Sequence, residues 1–203
     1  MILRQTAMPA VEPVTLAEAK AHLRVDHEAE DALIAALIIA ARETVEQATG
    51  RAILPQDWEL RLDDFPVRCS RGAWVRDGAI VLPHAPLVSV TSIITLGADG
   101  VETVMASDTY QVSIPSGPNA GQASITPAAG ALWPPLGAGV SGAVRVGYRA
   151  GYVNASVVPA ALRAAILLLL GDLYANREAA SAAKVTDNPT IERLLAPYRL
   201  SWI

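Results

Sequence analysis

The sequence PVTLAEAKAHLRVDHEAEDALIAALIIAARETVEQATGR, Pro13–Arg51, has the longest consistent helical period in the chain. Thr15 followed by Glu18 matches a capping box, in which the Thr hydroxyl accepts from a first-turn N–H and the Glu carboxylate accepts from the Thr N–H. A short helix is therefore predicted over about residues 16–24.

A second helix, of roughly 22 residues, is predicted to begin after Asp26 as its N-cap and to end at Gly50 in the left-handed conformation. Its middle, ALIAALIIAA (Ala32–Ala41), is apolar on every face. A surface helix normally has a single apolar stripe. One small domain can hardly cover such a helix, so surplus apolar surface is predicted here.

Composition indicates a folded protein with little attraction for polyanions. The 203 residues are 52% apolar and 18% charged, with a net charge of -4. This balance is typical of a chain that buries a core, and it gives no electrostatic attraction for nucleic acid or anionic membranes. The single cysteine, Cys69, excludes an internal disulfide and is typical of a protein made in a reducing cytoplasm.

Two-residue alternation replaces the helical period after Arg51, which predicts an antiparallel β domain over residues 56–152. An Asp77-Gly78 pair predicts a hairpin there, and Pro86–Leu96 a long strand. Alternation also predicts strands around Trp58, around Tyr110 and in AVRVGYRAGY. Six to eight short strands of this kind suggest a small sandwich or a barrel-like domain.

A helical period occurs again in the sequence near the C-terminus. A helix apolar over most of its circumference is predicted over Pro159–Ala179, and it is the natural partner of the long N-terminal helix. A short helix is predicted over Thr190–Ala196, stopped by Pro197. The apolar run Ala164–Leu170 is far shorter than the roughly 20 residues that span a bilayer, so no membrane contact is expected.

The predicted fold class is α+β, a helical core with an inserted all-β antiparallel sandwich or barrel-like domain. Residues 1–55 and 153–186 would form the two parts of the helical domain, and 56–152 the β domain. Residues 187–203 would form a short helix and a tail.

No residue pattern indicates catalysis, so the chain is not expected to be an enzyme. His22 with Asp26, and His27 with Glu30 or Asp31, have the helical spacing of possible metal ligands, but most such pairs are a solvated helix face. Cys69 has no recognisable nucleophile context. Catalytic, cofactor and metal sites are all predicted to be absent.

Apolar surface is the remaining functional clue. The C-terminal tail carries Tyr198, Leu200, Trp202 and Ile203, and exposed aromatic residues signal a protein contact. The tail could equally fold back on its own core. An alternative function rests on Trp133, which is expected to be exposed in a Gly/Pro-rich loop, so that the β domain would bind a carbohydrate or host surface.

Six blocks of sequence carry a family resemblance: PVTLAEAKAHLRVD, VEQATGRAI, QDWELRLDDFP, LPHAPLVSVTSI, VGYRAGY and VPAALRAAILLLLGDLYANRE. In order and spacing they resemble the head-to-tail connector (adaptor, head-completion) proteins of tailed bacteriophages and gene transfer agents. The smallest members of that family are nearly all helical, so the β insert is a departure from the family pattern.

The resemblance implies a non-enzymatic structural protein without cofactors. It would form a homo-oligomeric ring, twelvefold in the mature particle, between the portal protein and the next tail or stopper protein. The ring would line the channel through which DNA leaves without specific binding. The chain would be synthesised in the bacterial host cytoplasm and end in the particle neck.

Two sets of site residues follow from these expectations. In such adaptors the C-terminal segment commonly docks on the portal, which predicts portal contacts by Tyr198, Arg199, Leu200, Trp202 and Ile203. A ring needs two different faces on each subunit. The apolar helices predict subunit contacts by Leu33, Ile34, Leu37, Ile38, Leu167, Leu170 and Tyr174.

Overall fold

The computed structural model describes residues 1–66, 78–97, 99–137, 139–176 and 189–200. They form four α-helices and two antiparallel sheets, so the predicted α+β class is confirmed. The chain divides into two compact units. The β unit contains Met1–Met8 and Pro55–Gly151, and the helical unit contains Pro9–Leu54 and Tyr152–Leu200.

The helical unit contains four α-helices and two short 3₁₀ turns. The helices are α1 (Leu16–Leu23), α2 (Asp31–Thr49), α3 (Ala160–Ala175) and α4 (Pro189–Leu195), and the turns are Ala155–Val157 and Ala196–Tyr198. None of the helices in the described part of the chain is long and apolar enough to cross a membrane.

Helix α1 begins with the predicted capping box. The Glu18 N–H donates to Thr15 Oγ1 at 3.2 Å, and the Thr15 N–H donates to Glu18 Oε2 at 2.8 Å. The hydrogen bond from the Thr15 backbone holds the pKa of the Glu18 carboxyl below its usual value. The helix ends at Arg24, which adopts the left-handed conformation with φ 59°.

We expect Thr15→Ala to destabilise the protein by about 1 kcal/mol, because the Glu18 N–H in the first turn loses its acceptor. Because the pKa of Glu18 is lower in the folded state, its stabilising contribution is present above the unfolded pKa and lost as the pH falls through the folded pKa. Urea unfolding at neutral pH and at pH 3 measures both effects. A Glu18→Gln variant that differs equally from wild type at the two pH values would contradict the second.

Helix α2 begins later than predicted. Its N-cap position is Glu30, which makes no side-chain cap bond, so Asp26 as the N-cap is wrong. The Asp31 carboxylate instead pairs with Lys20 Nζ of α1 at 2.6 Å. The residues between Arg24 and Asp31 therefore connect α1 to α2 rather than extend α2. Gly50 ends α2 with φ 70°, as predicted.

Helix α3 packs against α2 in the opposite direction. The Tyr174 hydroxyl near the end of α3 donates to Glu30 at the start of α2, and the Tyr152 N–H before α3 donates to the Ile53 carbonyl after α2. The predicted pairing of these helices is thus confirmed. Pro159 takes the N-cap position rather than the first helical position, and the predicted end at Ala179 lies outside the described residues.

One apolar core fills the helical unit. Its fully buried members from α2 and α3 include Ile34, Ile38, Ala41, Val45, Leu162, Ala165, Ile166 and Leu170. Helix α4 adds Ile191 and Leu195, which are also buried. The short C-terminal helix therefore belongs to the core of this unit.

The described strands of the β unit form two open sheets. The strands are β1 (Ile2–Ala7), β2 (Gln56–Leu62), β3 (Ile80–Val81), β4 (Leu87–Leu96), β5 (Glu102–Val104), β6 (Tyr110–Ser113), β7 (Ser124–Pro127) and β8 (Val144–Ala150). The five-stranded sheet has the order β1-β2-β8-β4-β5, and the three-stranded sheet has the order β3-β7-β6. Neither sheet closes into a barrel over these strands. The Asp77 half of the predicted hairpin lies outside the described residues.

Strand β8 is the centre of the larger sheet. Val144, Val146 and Tyr148 are buried at every second position, as the alternation predicts. At Gly147, a Cβ would lie 2.6 Å from Thr91 Oγ1 and 3.0 Å from Ser92 Oγ of β4, so a larger residue would have to displace these side chains. Strands β1, β5 and β7 were not predicted, and β1 pairs with β2 at the edge of the sheet.

Candidate functional site

The outward side of α2 carries an apolar surface, which we call the α2 patch. It consists of Ala32, Leu33, Ala35, Ala36 and Ile39, all of which are exposed. Leu33 retains 38% and Ile39 42% of its accessible surface. No charged residue occurs between Asp31 and Arg42. An uncharged apolar helix face of this kind is typical of the centre of a protein interface.

Helix geometry accounts for the orientation of this patch. Ile34, Ile38, Ala41 and Val45 recur at intervals of three and four and face the core. Leu33 and Ile39 lie on either side of the opposite face, and alanines occupy the surface between them. The patch is therefore flat, with one larger side chain at each margin.

The predicted subunit-contact residues differ in their accessibility. Ile34, Ile38 and Leu170 are buried in the core of their own unit. Leu37, Leu167 and Tyr174 are half-buried and pack against that core, and Leu33 is exposed. Ala36 and Ile39 were not predicted as subunit contacts, because the middle of α2 is apolar on every face and only the position of α3 distinguishes its inward side from its outward side.

A buried ionic network fixes the second half of α2. Arg42 donates from Nε to Glu12 Oε2 at 2.8 Å and from Nη1 to Glu46 Oε2 at 2.6 Å. Burial alone would lower the pKa of the Arg42 guanidinium, but its bonds to Glu12 and Glu46 outweigh this effect and raise the pKa. Glu46 Oε1 also accepts the Ile53 N–H at 2.8 Å, so the network joins the segments before and after α2.

The described part of the C-terminal tail folds back onto the end of α2. The Leu200 N–H donates to the Thr49 carbonyl at 2.8 Å, and the buried Arg51 donates from Nε to the Tyr198 carbonyl at 2.5 Å. Tyr198 packs against the core, while Arg199 is exposed and pairs with Glu192 at 2.5 Å. Residues 198–200 therefore fold back onto the core of their own unit, which is one of the two alternatives given for the tail.

Arg51 is an unusual residue to hold this contact. Burial lowers the pKa of its guanidinium, and the nearby Tyr152 partly opposes that effect. Its Nη1 has no hydrogen-bond partner among the described residues. The other two predicted portal-contact residues, Trp202 and Ile203, lie outside the described part of the chain.

Trp133 is half-buried rather than exposed as predicted. Its ring stacks on Phe65 with centroids 4.5 Å apart and planes 2° apart, and its Nε1–H donates to the Gly78 carbonyl at 2.7 Å. One ring face and the indole N–H are thus used within the β unit. A sugar could reach only what remains, so the structure does not favour the carbohydrate-binding alternative.

No group of three or more His, Cys, Asp or Glu residues that could hold a metal ion occurs over the described ranges. The two histidine pairs of the α1–α2 region therefore have no third ligand there.

Comparison with known protein families gives one match. Residues 13–97 match the family of phage gp6-like head-tail connector proteins, a segment that runs from the start of α1 to the end of β4. This part of the chain therefore resembles head-tail connectors. The match is to a structural protein, which agrees with the predicted non-enzymatic class. No curated protein sequence matches the chain.

Solved structures match the chain over its full length. A chain in the neck of an empty GTA particle, computed with C6 symmetry, is 23% identical with a TM-score of 0.78. A chain in the virion of a native gene transfer agent (GTA) particle is 26% identical with a TM-score of 0.76. A chain in the neck of a native GTA particle, computed with C12 symmetry, is 24% identical with a TM-score of 0.73. Each match covers 100% of this chain and 97% of the other chain.

Proposed function

We propose that this protein is a head-tail connector, which forms a homo-oligomeric ring in the neck of a phage or gene transfer agent particle, between the portal and the tail. The observation that carries this proposal is the family match over α1 to β4. It is supported by the full-length similarity to chains in particle necks computed with C6 and C12 symmetry. The ring lines the DNA exit channel.

The α2 patch supports the ring. Leu33 and Ile39 leave apolar surface that the helical unit does not cover, and a second copy of the chain would bury it. The net charge of -4 supports passage of DNA without tight binding, because a mildly acidic wall does not attract the phosphate backbone.

The C-terminal segment, residues 190–203, is the proposed portal contact. Of the predicted portal contacts, Arg199 is exposed on the surface of the helical unit. Other exposed residues of this segment are Thr190, Glu192, Arg193, Ala196 and Pro197. Tyr198 and Leu200 are half-buried, so the fold-back limits how much of them a portal could contact without release of the segment.

Electron microscopy of purified particles tests the neck position. We expect a ring of connector subunits below the portal, whereas its absence from purified particles would contradict the proposal.

Shortening the tail tests the portal contact. We expect removal of Trp202 and Ile203 combined with Arg199→Ala to abolish attachment to the portal, because the apolar and charged side chains are lost. The backbone bonds of Tyr198 and Leu200 to Arg51 and Thr49 are kept, so circular dichroism should show an unchanged fold. Co-sedimentation with portal rings measures attachment. Arg149→Ala, in the β unit, is the control, and normal attachment of the shortened chain would refute the assignment.

A further inference from the structure

A second apolar surface lies on the helical unit, around the 3₁₀ turn that precedes α3. Val153 retains 65% and Val157 50% of its accessible surface, and Ala160 is also exposed. We call these three residues the turn patch. No charged residue occurs between Gly151 and Leu162, so this surface is as free of charge as the α2 patch.

The turn patch is held rigidly. Asn154 Oδ1 accepts the Ser156 N–H at 3.0 Å and the Val157 N–H at 3.2 Å, which fixes the turn. Tyr152 and Val158 are buried in the core on either side of it. The exposed valines are therefore presented by an ordered backbone and need no rearrangement before a contact forms.

The two patches lie toward opposite ends of the helical unit. The Tyr152 N–H donates to the Ile53 carbonyl, which places the turn patch beyond the C-terminal end of α2. The α2 patch is centred near Ala36, in the N-terminal half of the helix. At 1.5 Å per residue, this separates the two patches by about 20 Å along the helix axis.

From this arrangement we infer that the α2 patch of one subunit binds the turn patch of the next, in a head-to-tail contact between copies of this chain. The inference rests on the proposed ring. A ring of more than two subunits needs a contact between two different surfaces, because a patch that binds itself produces only pairs. Two joined copies leave one α2 patch and one turn patch free, so addition of subunits continues until the ring closes.

The shapes of the two patches are compatible with this contact. The alanines between Leu33 and Ile39 leave a shallow depression on the surface of α2. The turn patch presents two valines, whose side chains are short and β-branched. Neither surface carries a charged residue, so the contact between them buries no unpaired charge.

A mixing experiment tests the inference. Ile39→Glu disables the α2 patch and Val157→Glu disables the turn patch, and each variant keeps the other patch intact. We expect each variant alone to be monomeric under conditions in which the wild type assembles. An equimolar mixture should form a heterodimer and nothing larger, because only one intact junction can form. Native mass spectrometry measures the species, and circular dichroism checks the fold.

Leu132→Glu is the matched control, because Leu132 is 90% exposed on the β unit and lies in neither patch. It should assemble like the wild type. If Val157→Glu alone assembles normally, or if the mixture stays monomeric, the inference is overturned while the ring remains. A wild-type chain that does not assemble at any concentration overturns the proposed ring and the inference together.

A disulfide test provides a second measurement. On a Cys69→Ser background, Ile39→Cys mixed with Val157→Cys should give a cross-linked heterodimer on oxidation, whereas either variant alone should not cross-link. Homodimers of Ile39→Cys alone would indicate a twofold contact between α2 patches and would overturn the head-to-tail arrangement.

Discussion

Replacing Arg42 by alanine should lower the unfolding free energy of the protein by about 3 kcal/mol and its melting temperature by roughly 10 °C. Arg42 is buried, and its removal leaves the carboxylates of Glu12 and Glu46 facing each other without a cation. Urea unfolding monitored by circular dichroism measures the free energy, and calorimetry measures the melting temperature.

Arg149→Ala is the control for this experiment. Arg149 pairs with Asp57 at 3.6 Å, and both side chains are largely exposed, so its loss should change stability by at most about 0.5 kcal/mol. A double variant, Arg42→Met with Glu46→Gln, should recover part of the stability, because an apolar chain and a neutral amide replace the ion pair. Equal effects of Arg42→Ala and Arg149→Ala would contradict the structural importance of the network.

Alanine substitutions at Ile34 and Leu33 should separate stability from assembly at neighbouring positions of α2. Ile34 is fully buried, so Ile34→Ala leaves a cavity and should cost about 3 kcal/mol. Leu33 is exposed and belongs to the α2 patch, so Leu33→Ala should cost less than about 1 kcal/mol. Leu33→Ala should instead weaken assembly, because the patch loses its larger side chain on that margin.

Unfolding in urea and sedimentation velocity together measure both effects. Folded Ile34→Ala should assemble like the wild type below its unfolding transition. If Leu33→Ala destabilised the chain as much as Ile34→Ala, the outward orientation of the α2 patch would be refuted.

Local signals in the sequence predicted local features correctly. The Thr15–Glu18 capping box and the left-handed Gly50 depend on residues within one helical turn, and both occur as expected. The predicted cap at Asp26 is wrong, since α2 begins at Asp31, whose carboxylate pairs with Lys20 of α1. A residue type suited to capping does not by itself show that a helix begins after it.

Features set by distant contacts could not be read from the chain. Strand β1 is an edge strand with a polar middle around Arg4, so its alternation is weak and only pairing with β2 identifies it. The orientation of α2 depends on α3, since all its faces are apolar. The fold-back of the tail depends on Arg51 and Tyr198, which lie 147 positions apart in the sequence.

The contact between the tail and the end of α2 affects how readily substitutions in the tail could change the protein to which it binds. Arg51 binds the carbonyl of Tyr198, and Thr49 binds the N–H of Leu200, so both bonds reach the main chain of the tail. The position of the tail against the end of α2 therefore does not depend on which side chain occupies position 199. Substitution at that position can therefore alter the surface offered to another protein without altering the anchor, which makes it a suitable place to graft a new binding specificity.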